Sequence, residues 1–338
     1  MGGRTDGGRW TVVDAHTGGE PFRVVTGGVP PIPGASMLAK REFAKAHLDQ
    51  IRRVLMFEPR GHADMYGCFV TDPVTAGADF GVLFMHNEGF STMCGHGIIA
   101  MATVAVETGM VTRREPVTSI AIDTPAGLVR ASVRVSGGRV DSVSFVNVPS
   151  FVLALDRTIE VPGLGPVRYD LAFGGAFYAY VDAPSLGLDL VPAEATRLIA
   201  AGRAIKRAVM AAGSTPHPFE AALSFLYGVI FTSPAKDATA HSRHVCVFAE
   251  GEVDRSPTGT GVSARLALLA ARGALAVGPR IRIESIVGSE FGGRILETTT
   301  FGPHPAIIPE VDGAAYLTGR AEFTVDPRDP LAQGFVIR

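Results

Sequence analysis

The segment Met93-Cys94-Gly95-His96-Gly97 sets a thiol directly before two glycines and an imidazole, at what reads as the start of an apolar helix. A helix N-terminus presents unpaired backbone N–H groups and the positive end of the helix dipole. Glycine at that place lets an anion come close to the backbone, so the segment reads as a cradle for a carboxylate or a phosphate. The same field favours a thiolate over a thiol. A thiolate beside a bound carboxylate is placed to act as a base on the adjacent carbon, or as a nucleophile. The plainer alternative is that Cys94 packs as a small hydrophobe and His96 is a structural histidine. Cys68 and Cys246 lack the surroundings of Cys94, and for them the plainer reading stands.

The cradle occurs twice, which weighs against the plainer reading of Cys94. Met93 to Gly109 aligns without a gap on Pro257 to Gly273, pairing Gly95 with Gly259, Gly97 with Gly261, Ala100 with Ala264 and Gly109 with Gly273. Both segments predict a glycine-rich loop opening an apolar helix that closes on a glycine. Two facing cradles of this kind could share one carboxylate. Each is preceded by a strand-like run, Gly81 to Met85 and His244 to Phe248. Further upstream, Gly18-Gly19 and Val24-Val25 are echoed by Gly174-Gly175 and Tyr180-Val181. Each set is followed by a predicted helix, Met37 to Leu55 and Ala193 to Ala212, the second introduced by Pro192. The chain therefore reads as two similar α/β halves, 9–150 together with the C-terminal strand 320–338, and 151–319. Their boundary is expected near Asn147 to Ser150, before a strand-poor stretch rich in proline and glycine.

Composition narrows the partner. The 338 residues are 46% hydrophobic and 19% charged, with a formal net charge of −2, so no basic field attracts nucleic acid or an anionic membrane. A small molecule is the expected partner. The N-terminus lacks the apolar core of a secretory signal, and Gly2 is followed by Asp6 where myristoylation needs Ser or Thr. No apolar run reaches the ~18 residues of a spanning helix. A cytoplasmic protein with reduced cysteines is expected, and the three cysteines fit neither a disulfide framework nor CxxC metal spacing.

Other chemistries are weaker. Both repeats match G-x-G-x-x-A, but a dinucleotide site needs its strand to run almost directly into the first glycine, and here about ten residues intervene. His241 and His244, with His62 and Asp64, offer no HExxH spacing and no clear third ligand for a metal. A solute-binding protein without catalysis would also use two lobes around an anion cradle, although it leaves the placement of Cys94 unexplained.

Five segments together, Asp14 to Val25, Glu58 to Gly67, Asn87 to Ala100, Gly174 to Asp182 and Asp254 to Ala264, resemble the proline racemase family over nearly the whole chain. That family also holds 4-hydroxyproline epimerases and trans-3-hydroxy-L-proline dehydratases. The resemblance implies an α+β fold like diaminopimelate epimerase, with two pseudo-symmetric α/β halves, each wrapping strands around a central helix. It implies catalysis without metal or organic cofactor, an imino-acid substrate, and a homodimer. Two cysteines serve opposite faces of the substrate α-carbon in the racemases and epimerases. Cys94 matches the first, and Thr258 stands where the second falls. A threonine hydroxyl is not acidic near neutral pH, so two-base inversion should fail.

The Cys/Thr pattern resembles the members that dehydrate trans-3-hydroxy-L-proline, and Tyr227, standing where epimerases carry histidine, points the same way. By this resemblance the backbone N–H groups of Gly95, His96, Gly259 and Thr260 hold the carboxylate, while Asp254 and His96 bind the ring nitrogen. Cys94 removes the α-proton and Thr258 positions substrate. Epimerase or racemase activity is the alternative. His16, Glu20, Arg23, Glu58, Arg60 and His62 also belong to family segments, with structural and functional readings evenly weighed.

Overall fold

Alternating and wholly apolar runs fold into eighteen strands among the described residues, the commonest element of the chain. In the computed structural model, which describes residues 8–337, the order is β1 (Arg9–Thr17), β2 (Glu20–Gly27), α1 (Met37–His47), α2 (Asp49–Met56), β3 (Tyr66–Thr71), β4 (Phe80–His86), β5 (Gly89–Phe90), α3 (Gly95–Glu107), β6 (Val117–Thr124), β7 (Gly127–Ser136) and β8 (Arg139–Val146). It continues with β9 (Ser150–Val161), β10 (Gly165–Phe173), β11 (Phe177–Asp182), α4 (Ala195–Ala212), β12 (Leu226–Ser233), β13 (Ser242–Phe248), β14 (Glu252–Val253), α5 (Gly259–Ala271), β15 (Arg280–Glu284), β16 (Glu290–Phe301), β17 (His304–Gly313) and β18 (Ala315–Thr324). The readings of Gly2 and Asp6 lie outside the described residues. Among the described residues no helix is long and apolar enough to cross a membrane.

Two compact units emerge. One holds the chain up to Thr92, Gly97–Val143 and the part from Ala314 onward; the other holds Met93–His96 and Ser144–Gly313. In the first, the pairing order is β18–β1–β2–β3–β4–β6–β7, with β2–β3 and β4–β6 parallel and the rest antiparallel. Gly18 and Gly19, at φ +59 and +92, make the two-residue turn between β1 and β2, a backbone shape open chiefly to glycine. The helix predicted over Met37 to Leu55 is two helices. Leu48, at φ −119 and ψ 5, ends α1 and begins α2. Spacing hides this break because Leu48 stays in the same core as Ile51, Val54 and Leu55, while Asp49 opens the second helix and binds Arg52 at 2.6 Å.

The second unit repeats those pairings and closes them. Its strands run β9–β10–β11–β12–β13–β15–β16–β17 and return to β9, where Phe151 pairs with Ala306 and Ser150 with Ile307. The ring encloses α5, which packs on β9, β10, β16 and β17. A helix that is apolar on nearly every side belongs inside, and Val262, Leu266 and Leu268 are fully buried there. On α4, by contrast, Leu198, Ala201, Gly202, Ile205 and Val209 form one buried stripe against β12 and β13.

The stretch after Ser150 was expected to be poor in strands, and it forms the long β9–β10 hairpin instead. Its prolines and glycines, Pro162, Gly163, Gly165 and Pro166, gather at the turn and the first residues of β10, where Gly163 and Gly165 have φ +82 and +74. Val167, Tyr169 and Leu171 alternate inward along β10, a period-two pattern that the nearby turn residues obscure.

Candidate functional site

Cys94, Gly95, His96, Asp254, Thr258, Gly259 and Thr260 all fall in the second unit, and the fold brings them together. Gly95 and Gly259, the residues paired by the internal repeat, are in backbone contact. A Cβ built on Gly95 would lie 2.5 Å from Gly259 Cα, and one built on Gly259 would lie 2.7 Å from Gly95 Cα. Only glycine at both places lets the first turns of α3 and α5 approach so closely.

The loop before α5 is built on Asp254. Its N–H donates to the carbonyl of Cys246 in β13 at 3.0 Å, and its carboxylate accepts from Ser256 N–H at 2.8 Å, a local turn that aspartate favours. Ser256 Oγ accepts from Thr258 N–H at 3.1 Å. These bonds hold Thr258 at φ +67, a left-handed conformation that costs a β-branched residue about 1–3 kcal/mol. Thr258 is also the N-cap of α5, where a threonine ordinarily accepts from the first-turn amides. Here its hydroxyl donates to Asp254 Oδ2 at 2.9 Å and makes no cap bond.

Asp254 Oδ2 also lies 3.7 Å from His96 Nδ1, and Cys94 Sγ lies 3.3 Å from that nitrogen and 3.5 Å from Nε2. Burial pushes the His96 imidazole below its ordinary pKa, and the Asp254 carboxylate pulls it upward less strongly. A neutral ring beside a carboxylate suits a cationic amine, which can donate to both. Cys94 retains 5% exposure and sits among polar groups, whereas Cys68 and Cys246 are at 0% exposure. Burial drives the Cys68 thiol well above its usual range, which leaves it inert.

Tyr178 and Tyr180 belong to this neighbourhood and were missed. Their hydroxyls reach Thr260 Oγ1 and the Gly261 carbonyl oxygen, each at 2.6 Å. The available signal was the two-residue period of β11, which puts both tyrosines on one face. Tyr227 is edge-on to Tyr178 at 5.7 Å and stacks on Phe248 at 5.3 Å.

Several other family-segment residues hold structure in the first unit. Arg23 is bidentate to Asp14 and donates to the carbonyls of Leu55 and Arg60; Arg60 in turn reaches the carbonyls of Val54 and Ala332. His16 Nδ1 accepts from Gly19 N–H inside the β1–β2 turn, Glu58 bridges Phe335, and His62 Nδ1 contacts its neighbour Ala63. Glu20 is buried.

Among the described residues no group of three or more His, Cys, Asp or Glu side chains is placed to hold a metal. The glycine turns follow the two-residue antiparallel strands β5 and β14, which is not the strand-to-helix entry of a dinucleotide site.

His244 is fully buried, and its Nδ1 has no hydrogen-bond partner among the described residues. Burial, then the charge of Arg265 and then His241, hold its pKa well below the ordinary value. Below about pH 6.5 an unfolded chain takes up protons that folded His96 and His244 refuse, so stability falls as pH drops through that point. The urea midpoint of wild type should therefore fall between about pH 7 and pH 5, and that of His244→Gln should fall by less.

The profile of the family described as proline racemase matches residues 12–336. The chain is 50% identical over 326 residues to a trans-3-hydroxy-L-proline dehydratase of Colwellia psychrerythraea, covering 96% of this chain and 92% of that one. It is 48% identical over 328 residues to a 3-hydroxyproline 2-epimerase of Burkholderia multivorans, covering 97% and 98%. Among solved structures, a hydroxyproline epimerase from Agrobacterium vitis with bound trans-4-hydroxy-L-proline superposes with a TM-score of 0.92 at 34% identity, covering 97% of this chain and 95% of that one. The α+β, diaminopimelate epimerase-like fold expected from the sequence is the fold found.

Proposed function

This chain belongs to the proline racemase family, and from that premise we propose that it dehydrates trans-3-hydroxy-L-proline to Δ1-pyrroline-2-carboxylate without a cofactor. The observation that carries the reading is the state of Thr258. Its hydroxyl is engaged as a donor to Asp254, so the residue that the family resemblance assigns to the second face of a substrate offers no acid there.

In this reading the N–H groups of Gly95, His96, Gly259 and Thr260 receive the carboxylate. Asp254 and neutral His96 accept from the ring ammonium, and together these contacts orient the substrate. The Cys94 thiolate takes the α-proton. The electrons of that C–H bond move into the carboxylate, where the first turns of α3 and α5 stabilise the added charge. They then form the C2=C3 bond as the C3–O bond breaks. In the trans-3-hydroxy-L isomer the α-proton and the hydroxyl share one ring face, so the proton held by Cys94 leaves with hydroxide as water. The resulting enamine tautomerises to the imine. Cytoplasmic location, where the three free cysteines stay reduced, and a homodimer, which the family resemblance implies, complete the proposal.

The test is incubation with trans-3-hydroxy-L-proline, trans-4-hydroxy-L-proline and L-proline in deuterated water, following imine formation and chirality. Imine from the 3-hydroxy substrate alone supports the dehydratase. The Burkholderia relative named as an epimerase favours one second reading, inversion at C2 of 3-hydroxyproline, and accumulation of that epimer without imine would establish it. Thr258→Cys should add a second acid: epimerisation of trans-4-hydroxy-L-proline is expected to rise at least about ten-fold over wild type. An unchanged product pattern in that variant removes the explanation based on the second face.

A further inference from the structure

Tyr178 and Tyr180 stand two apart on β11, both buried, at 1% and 4% exposure. Phenylalanine would fill the same volume, so the hydroxyls call for a reason of their own. Both end on the first turn of α5, Tyr178 at the Thr260 hydroxyl and Tyr180 at the carbonyl oxygen of Gly261. The Tyr180 ring is held edge-on by His244, with centroids 6.3 Å apart.

The Gly261 carbonyl is the start of a chain. It shares a peptide unit with Val262 N–H, which donates to the Thr258 carbonyl at 2.7 Å. The Thr258 carbonyl shares its own peptide unit with Gly259 N–H. A carbonyl carries two lone pairs, so the phenol adds to the bonding of the helix and need not displace any of it. Hydrogen bonds connected through peptide units polarise one another in the same sense.

We propose that Tyr180 is a positioning residue for the reaction, whose hydroxyl acts through two peptide units to strengthen Gly259 N–H as a donor to the substrate carboxylate. The inference rests on the function proposed above. Charge on the carboxylate grows as the α-proton leaves, so a stronger donor acts more on the transition state than on the bound substrate. Burial keeps the Tyr180 phenol well above its ordinary pKa, and it therefore remains a donor at any pH the reaction uses.

The test pairs Tyr180→Phe with replacement of Tyr180 by meta-fluorotyrosine, whose hydroxyl is the stronger donor. In Tyr180→Phe, kcat for trans-3-hydroxy-L-proline should fall about three- to ten-fold, with KM changed less than about two-fold and a larger isotope effect for the α-deuterated substrate. The fluorinated protein should move kcat the other way. In protein isotope-labelled at threonine carbonyl carbon and glycine nitrogen, the Gly259 amide proton should shift upfield in Tyr180→Phe and downfield in the fluorinated protein. An unchanged kcat in Tyr180→Phe, or a fall in both variants, overturns the proposal. Should Tyr180→Phe fail to fold, the fluorinated protein decides. Should wild type turn over none of the three substrates, the function fails, while the amide shifts still decide the role of Tyr180.

Discussion

Cys94→Ser lowers α-proton removal from trans-3-hydroxy-L-proline about a thousand-fold, within the range that a positioned base contributes. The two side chains are nearly the same size, and residue 94 immediately precedes the first turn of α3 in either case. Serine can keep a contact with the His96 ring that cysteine reaches at 3.3 Å. What changes is acidity. A thiol is poised to ionise at a helix N-terminus beside polar groups, and an alcohol is not. KM and melting temperature should therefore stay close to wild type while imine formation and deuterium wash-in at the α-carbon fall together. Loss of less than about ten-fold would move the role of base from Cys94 to His96.

Gly95→Ala is expected to cut kcat/KM by about a hundred-fold, the scale associated with misplacing a reacting group by ~1 Å. The added Cβ would meet Gly259 Cα at 2.5 Å, Gly259 C at 2.8 Å and Thr260 N at 2.9 Å. All three are backbone atoms, so relief requires the two helix starts to separate. The same movement displaces the N–H groups assigned to the carboxylate. Stability should drop as well, by about 1–3 kcal/mol for such overpacking. Gly89→Ala is the control, because a Cβ there meets nothing within 4 Å. Activity within two-fold of wild type in Gly95→Ala would show that the turns need not be so close.

Much of this candidate site was legible because its parts lie in two short segments that resemble each other. The sequence paired Gly95 with Gly259 only as equivalent positions of a repeat, and the fold sets these same two glycines in backbone contact. Thr258 was legible only as a residue type. That its hydroxyl turns away from the cap and toward Asp254 depends on φ +67, which no spacing reports. Tyr178 and Tyr180 were in view in the sequence, but alternation says only that they share a face, not that α5 lies against it. Arg23 and Arg60 were undecided between binding and structure, because a guanidinium that collects carbonyls from α2 and from the C-terminal tail uses contacts far apart in the chain. The β9–β10 hairpin was concealed by its own turn.

The left-handed backbone at residue 258 is borne by a side chain with a β-carbon, so the loop already tolerates what most L-amino acids resist. Cysteine is close to threonine in bulk and asks nothing new of that backbone. On the function proposed here, exchange between the two is expected to redirect the reaction from elimination to inversion while the scaffold stays as it is.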